Sequence, residues 1–233
     1  MYNTLDICAQ DEHTFIGFDC AYRTLGWCIL GYNPRSLTRA IHESNGATNG
    51  IATIGATTNG IAPCARDLFC LRAGGVEDVL GQKIDEVDHA ERAIRLATTL
   101  RAIIPASIVA RSTVIIERQP RKRGRGFSSA VHDTNQTVEA QLVFYFSAVC
   151  RARKVYLISA GKKNKVACAL LREPPVTTYD ARKKQSRRAY VRLAEHFNFD
   201  AHSRACDFPH VRADRADACV QIIAGIFLCA KSI

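Results

Sequence analysis

The chain has 233 residues, 47% of them hydrophobic, which is room for one well-buried core but a squeeze for two full domains. Its net charge of +10 is lopsided: residues 118–192 hold 18 Lys/Arg against four acids (Asp133, Glu139, Glu173 and Asp180), a balance of +14, so the remainder sums to −4. Clustered cations on an acidic scaffold favour a polyanionic partner over an evenly basic surface, while Met1 to His13, with Asp6, Asp11 and Glu12, excludes a signal or transit peptide.

In chain order, Thr14–Cys20 (TFIGFDC) and Gly26–Tyr32 (GWCILGY) are rich in β-formers and predict a hairpin. Residues Thr38 to Pro63 carry ATNGIA and TTNGIA in a Gly/Asn/Thr/Ala background, which predicts a flexible insertion at 38–63 within a single domain. A third strand is placed at Asp67 to Arg72. From Glu86 to Ile104, Val87, Ala90, Ile94, Ala97 and Ile104 recur at helical spacing until Pro105 stops the helix. Thr113–Glu117 (TVIIE) predicts a buried parallel strand, and Arg121–Gly126 (RKRGRG) a loop. Thr137–Arg151 is helical, with Val138, Leu142, Phe146 and Val149 on one face. Its consecutive Phe144, Tyr145 and Phe146 leave open whether one side is core and another a dimer face.

Lys154–Ser159 is a further strand and Lys162–Leu171 a further helix. Asp180–Phe197 is a basic helix with Ala189, Leu193 and Phe197 inward. Asp214–Lys231 is an apolar helix with an acidic first turn; its apolar stretch, Ala218 to Ala230, contains Gln221 and is too short for a membrane span of roughly 20 residues. A meander followed by strands alternating with helices is an α/β pattern: a mixed sheet flanked by helices. The ten cysteines include no Cys-x-x-Cys spacing, so they are expected to be reduced core thiols rather than disulfides or a zinc site.

Acids in apolar settings carry the chemistry, because a charge there is unfavourable unless compensated. Asp19 interrupts an apolar strand, and Glu117 ends TVIIE where a parallel strand emerges at the carboxyl edge of a sheet, the usual ligand edge. Asp214 and Asp217 are three apart and share a helix face. Each alone also suits a strand end or a positive helix amino terminus. Together they are the oxygen set that two Mg²⁺ ions need for phosphodiester cleavage, about 3.5–4 Å apart. His132, His196 and His210 are given no role.

IGFDCAYRTLGWCIL, VIIERQP and DRADACVQ resemble, in order and rough spacing, the first hairpin, internal Glu strand and terminal Asp-x-x-Asp helix of the RuvC-like branch of the RNase H fold. TYDARKKQSRRAYVRLAEHF and YLISAGKKNK are similar to segments of the Holliday junction resolvases of poxviruses and related large DNA viruses. The resemblance covers about Phe15 to Leu30 and Thr113 to Ala230; the 38–63 insertion and RKRGRG depart from it. It implies an RNase H-like five-stranded mixed sheet and a Mg²⁺-dependent endonuclease, with Mn²⁺ as a substitute and no small-molecule cofactor. Its implied substrate is branched DNA, cut to a 5′-phosphate and 3′-hydroxyl by a two-fold dimer.

Under that resemblance Asp19, Glu117, Asp214 and Asp217 are catalytic metal ligands. Asp19 bridges both ions, Glu117 and Asp217 hold one each, and Asp214 assists. Arg118, Arg121, Lys122, Arg123, Arg125, Lys162 and Lys163 lie near the site to clamp phosphates, and Lys183, Lys184, Arg187 and Arg188 grip a second duplex arm. Such contacts position DNA without reading its sequence. The expected location is inside a cell and off the membrane; for a viral protein it is a cytoplasmic replication site or the host nucleus. Competing readings are a nuclease for RNA or RNA–DNA hybrid, an actin- or sugar-kinase-like phosphotransferase, and a non-catalytic nucleic-acid binder.

Overall fold

The computed structural model describes residues 13–21, 24–33, 69–79, 88–120, 129–197 and 213–230. Among them, strands β1 (His13–Cys20), β2 (Thr24–Tyr32), β3 (Phe69–Asp78), β4 (Thr113–Arg118) and β5 (Lys154–Ser159) form one sheet in the order β3-β2-β1-β4-β5. The first three are an antiparallel meander, and β4 and β5 run parallel to β1. The helices are α1 (His89–Ile103), α2 (Ala106–Val109), α3 (Ser129–Phe144, running into a π turn at Tyr145–Val149), α4 (Ala160–Leu171), α5 (Tyr179–His196) and α6 (Ala213–Ala230). This is the RNase H-like α/β architecture expected from the sequence.

The sheet is buried on both faces. Ile16, Phe18, Trp27, Val114 and Ile116 pack under Leu96 and Leu100 of α1 and Val138, Leu142 and Phe146 of α3. Phe15, Cys28, Leu30 and Ile115 face α4, α5 and α6. Because side chains alternate along a strand, Gly17 and Asp19 share the α6 face with Phe15, and Glu117 shares it with Ile115.

Five expectations need correction. Helix α3 begins at Ser129, about two turns before the expected Thr137. The third strand is Phe69–Asp78 rather than Asp67–Arg72, so it continues through Gly74 and Gly75. Those glycines abut Trp27, whose carbonyl oxygen and ring nitrogen would lie 3.0 and 2.9 Å from added Cβ atoms. In α1 the inward stripe is Arg92, Leu96, Leu100 and Ile103, and Ile94 is 67% exposed. The leucines bury more apolar area than the alanines of the expected stripe, so they set the rotation of the helix. Val149, expected on the core face of α3, is 51% exposed because the π turn inserts a residue and rotates the last turn. Finally, α4 begins at Ala160, directly after β5. The 38–63 insertion and the RKRGRG segment lie outside the described residues.

Candidate metal centre at the carboxyl edge of the sheet

Parallel pairing of β1 with β4 sets Phe18 against Ile116, so the next residues, Asp19 and Glu117, stand side by side on the α6 face. Helix α6 crosses directly over them, and it comes close because two glycines clear its path. A Cβ on Gly17 would lie 2.5 Å from the Ala218 carbonyl oxygen and 2.6 Å from Ile222 Cγ1. One on Gly26, paired with Asp19 across the hairpin, would strike the Asp214 carbonyl. This contact brings Asp214 and Asp217 over Asp19.

Polar side chains fix the frame. Gln221, fully buried one turn beyond Asp217, donates from Nε2 to the Phe18 carbonyl (3.1 Å) and the Ile115 carbonyl (3.4 Å), tying α6 to both acid-bearing strands. Gln119 Nε2 donates to the Cys20 carbonyl at 3.1 Å, joining the ends of β4 and β1, while its own N–H donates to Glu139 of α3. Thr24 Oγ1 donates to Asp214 Oδ2 at 2.8 Å. None of these side chains was singled out from the sequence as part of the site. Gln221 was noticed only as a break in an apolar run, and a buried amide there was the available signal.

Two lysines enter the cluster. Lys163 Nζ lies 2.5 Å from Glu117 Oε2, 3.3 Å from Asp217 Oδ2 and 3.4 Å from Asp19 Oδ1. Lys183 Nζ lies 2.5 Å from Asp217 Oδ2, 3.0 Å from Asp214 Oδ1 and 3.1 Å from Asp19 Oδ2. The sequence places Lys163 among the cations that clamp phosphates near the site and Lys183 among those that grip a second duplex arm. Instead their side chains are only 6% and 18% exposed and are spent on the four acids. Each extends the buried stripe of its helix by one turn: Lys163 precedes Val166, Ala167 and Leu170, and Lys183 precedes Ser186, Ala189 and Tyr190. That periodicity was the sequence signal for their inward direction.

The electrostatics follow from burial and these neighbours. Burial alone would raise the Asp19 carboxyl, but the ammonium groups of Lys163 and Lys183 outweigh it and hold it well below the usual range. Glu117 is pushed up to about 8, first by burial and then by the adjacent Asp19 charge, with Lys163 offsetting only part of this. Burial would lower both lysines, yet the surrounding carboxylates hold them above the ordinary ammonium value.

The donor set fits hard divalent cations, since carboxylate oxygens alone suit Mg²⁺ or Mn²⁺. Asp19 and Asp217 each contact both ammonium groups, Glu117 contacts only the inner one, Lys163, and Asp214 only the outer one, Lys183. Around the ammonium groups the acids stand apart: among the described residues no three His, Cys, Asp or Glu side chains are gathered at metal-ligand spacing.

The other expected site cations are distributed as follows. Arg118, Lys162, Lys184 and Arg187 are exposed. Arg188 is exposed but paired in a bidentate fork with Glu173. Arg121, Lys122, Arg123 and Arg125 lie outside the described residues, as do His210 and the side chain of His132, while the His196 ring packs on Phe197. Cys20, Cys28, Cys70, Cys150, Cys168 and Cys219 are free thiols. No helix among the described residues is long and apolar enough to cross a membrane.

No protein-family model matches the chain, and no curated protein matches it significantly. Solved structures do share the fold. The yeast mitochondrial Holliday junction resolvase is 11% identical, with a TM-score of 0.55 over 93% of this chain and 80% of that one. Fowlpox virus resolvase, solved with a substrate Holliday junction, is 13% identical, with a TM-score of 0.52 over 93% and 98%. Thermus thermophilus RuvC is 13% identical, with a TM-score of 0.51 over 94% and 96%. At these identities the likeness is one of fold, and the fold is that of the RuvC-like resolvases.

Proposed function

We propose that the chain is a divalent-metal-dependent endonuclease that resolves four-way and related branched DNA junctions. The observation that carries this is the convergence of Asp19, Glu117, Asp214 and Asp217 on two adjacent cation positions at the carboxyl edge of an RNase H-like sheet. Mg²⁺, when bound by these acids, would supply a Lewis acid for the scissile phosphate and lower the pKa of an attacking water. Asp19 and Asp217 would contribute to both ions, Glu117 would help hold the one at the Lys163 position and Asp214 the one at the Lys183 position. Arg118, Lys162, Lys184 and Arg187 are exposed, lie close in sequence to Glu117, Lys163 or Lys183, and suit phosphate contacts that fix register without reading bases. A catalytically silent binder is disfavoured, because four acids compensated by only two ammonium groups would repel phosphate to no purpose.

A resolvase makes two opposed cuts, which a two-fold dimer supplies. Phe144, 66% exposed, and Val149, 51% exposed, at the end of α3 are apolar groups suited to such an interface. The test is cleavage of a labelled four-way junction beside linear duplex and RNA–DNA hybrid in Mg²⁺, Mn²⁺ and EDTA, with the mass of the free protein in solution. The expected result is metal-dependent, junction-selective cutting by a dimer, abolished in Asp19→Asn and Glu117→Gln with junction binding retained. Equal rates on duplex and junction by a monomer would reduce the proposal to a general RNase H-like nuclease.

A further inference from the structure

The two lysines divide the four acids as two metal ions would. Each Nζ has three carboxylate partners; Asp19 and Asp217 are common to both, while Glu117 belongs to Lys163 alone and Asp214 to Lys183 alone. We infer that Lys163 and Lys183 are the resident cations of the metal-free site, and that a divalent ion entering the outer position displaces Lys183 from it. The inference rests on the proposal that these acids hold metal.

Four acids in a largely buried cluster cannot ionise and remain assembled without counter-charge. The lysines supply it and keep the acids in place while no metal is bound. Ammonium and metal exclude one another, however. Mg²⁺ binds oxygen at about 2.0–2.1 Å, and an Nζ already within hydrogen-bonding distance of the same oxygens leaves neither room nor a favourable field for a second cation. Metal uptake is therefore an exchange.

The exchange is asymmetric. Lys163 is 6% exposed and enclosed, whereas Lys183 is 18% exposed. Lys183 Nζ also lies 5.8 Å from the ring centroid of Tyr179, which is itself 61% exposed and offers the displaced ammonium an outward resting place. A flexible four-carbon stem allows the swing. Once outside, the ammonium joins exposed Lys184 and Arg187 on the basic side of α5 and is free for a phosphate oxygen, so metal uptake and DNA binding should reinforce each other.

The experiment uses the full chain without DNA. Lysine acylation by acetic anhydride, read by mass spectrometry, is compared in EDTA and in Mg²⁺ shown by calorimetry to be bound, with exposed Lys184 as the internal standard. Labelling of Lys183 should rise at least fivefold with metal while Lys184 is unchanged. Bound Mg²⁺ with unaltered Lys183 labelling overturns this inference and leaves the nuclease proposal standing, whereas absence of any Mg²⁺ binding overturns both. In a second arm, Lys183→Met should bind Mg²⁺ at least tenfold more tightly than the wild type. Equal or weaker affinity in a variant that melts cooperatively overturns the exchange, and if the variant does not fold, the labelling of the wild-type chain decides.

Discussion

The close approach of α6 to β1 can be tested at Gly17. An alanine there would place its Cβ 2.5 Å from the Ala218 carbonyl oxygen and 2.6 Å from Ile222 Cγ1, where ordinary contact begins at 3.4 Å. Ile222 can rotate, but the carbonyl is backbone, so the helix must retreat by about 0.9 Å, the difference between 3.4 and 2.5 Å. Overpacking of this kind costs about 1–3 kcal/mol, and in a chain of this size each kcal/mol lowers Tm by roughly 2–4 °C. The helix that moves carries Asp217, one residue before Ala218, and a misplacement near 1 Å at a reacting centre can cost about 10²-fold in rate. Gly17→Ala should therefore fold, melt several degrees lower and cut junctions about a hundredfold more slowly, with junction binding unchanged. Thermal denaturation and single-turnover cleavage measure the two effects. A variant with wild-type Tm and a rate within threefold of wild type would mean that α6 does not bear on Gly17 as described.

Glu117, raised from an ordinary 4.5 to about 8 by burial and then by Asp19, makes a contribution to metal-free stability that is fully present below pH 4.5 and lost as pH rises through 8. Melting in EDTA across this window should show the decline, and Glu117→Gln should remove that part of it; an unchanged profile would place the titration elsewhere. Gln221→Leu removes a buried donor to two carbonyls and should cost about 1–3 kcal/mol in chemical denaturation, since those groups lose a partner away from water; a neutral substitution would show that the amide does not hold the strands to α6. For the DNA surface, Lys184→Gln and Arg187→Gln should each reduce the slope of log affinity against log salt by about 0.9, the value of one phosphate contact. A slope unaffected by both would remove α5 from the interface.

The acids were legible in the sequence as a set: each alone suits a strand end or a helix amino terminus, but Asp19, Glu117 and Asp217 recur together in apolar contexts where charge needs compensation. The topology followed from the same patterns, a hairpin and then strands alternating with helices. Two kinds of information were hidden. Helix phase failed in α1, where an alanine–isoleucine stripe and a leucine stripe compete and only packing against Phe18 and Ile116 decides, and again at the π turn, which shifts Val149 without changing composition. Charge was the deeper difficulty, because a tally has sign but no pairing. The +14 balance of residues 118–192 counts Lys163 and Lys183 as available to a polyanion, although both are consumed by acids from β1, β4 and α6. It also counts Arg188, which is held by Glu173. The surface left for a polyanion is thus less basic than the sequence suggests, and the charge withdrawn from it lies at the cluster of acids, where it keeps Asp19, Glu117, Asp214 and Asp217 assembled in the absence of metal.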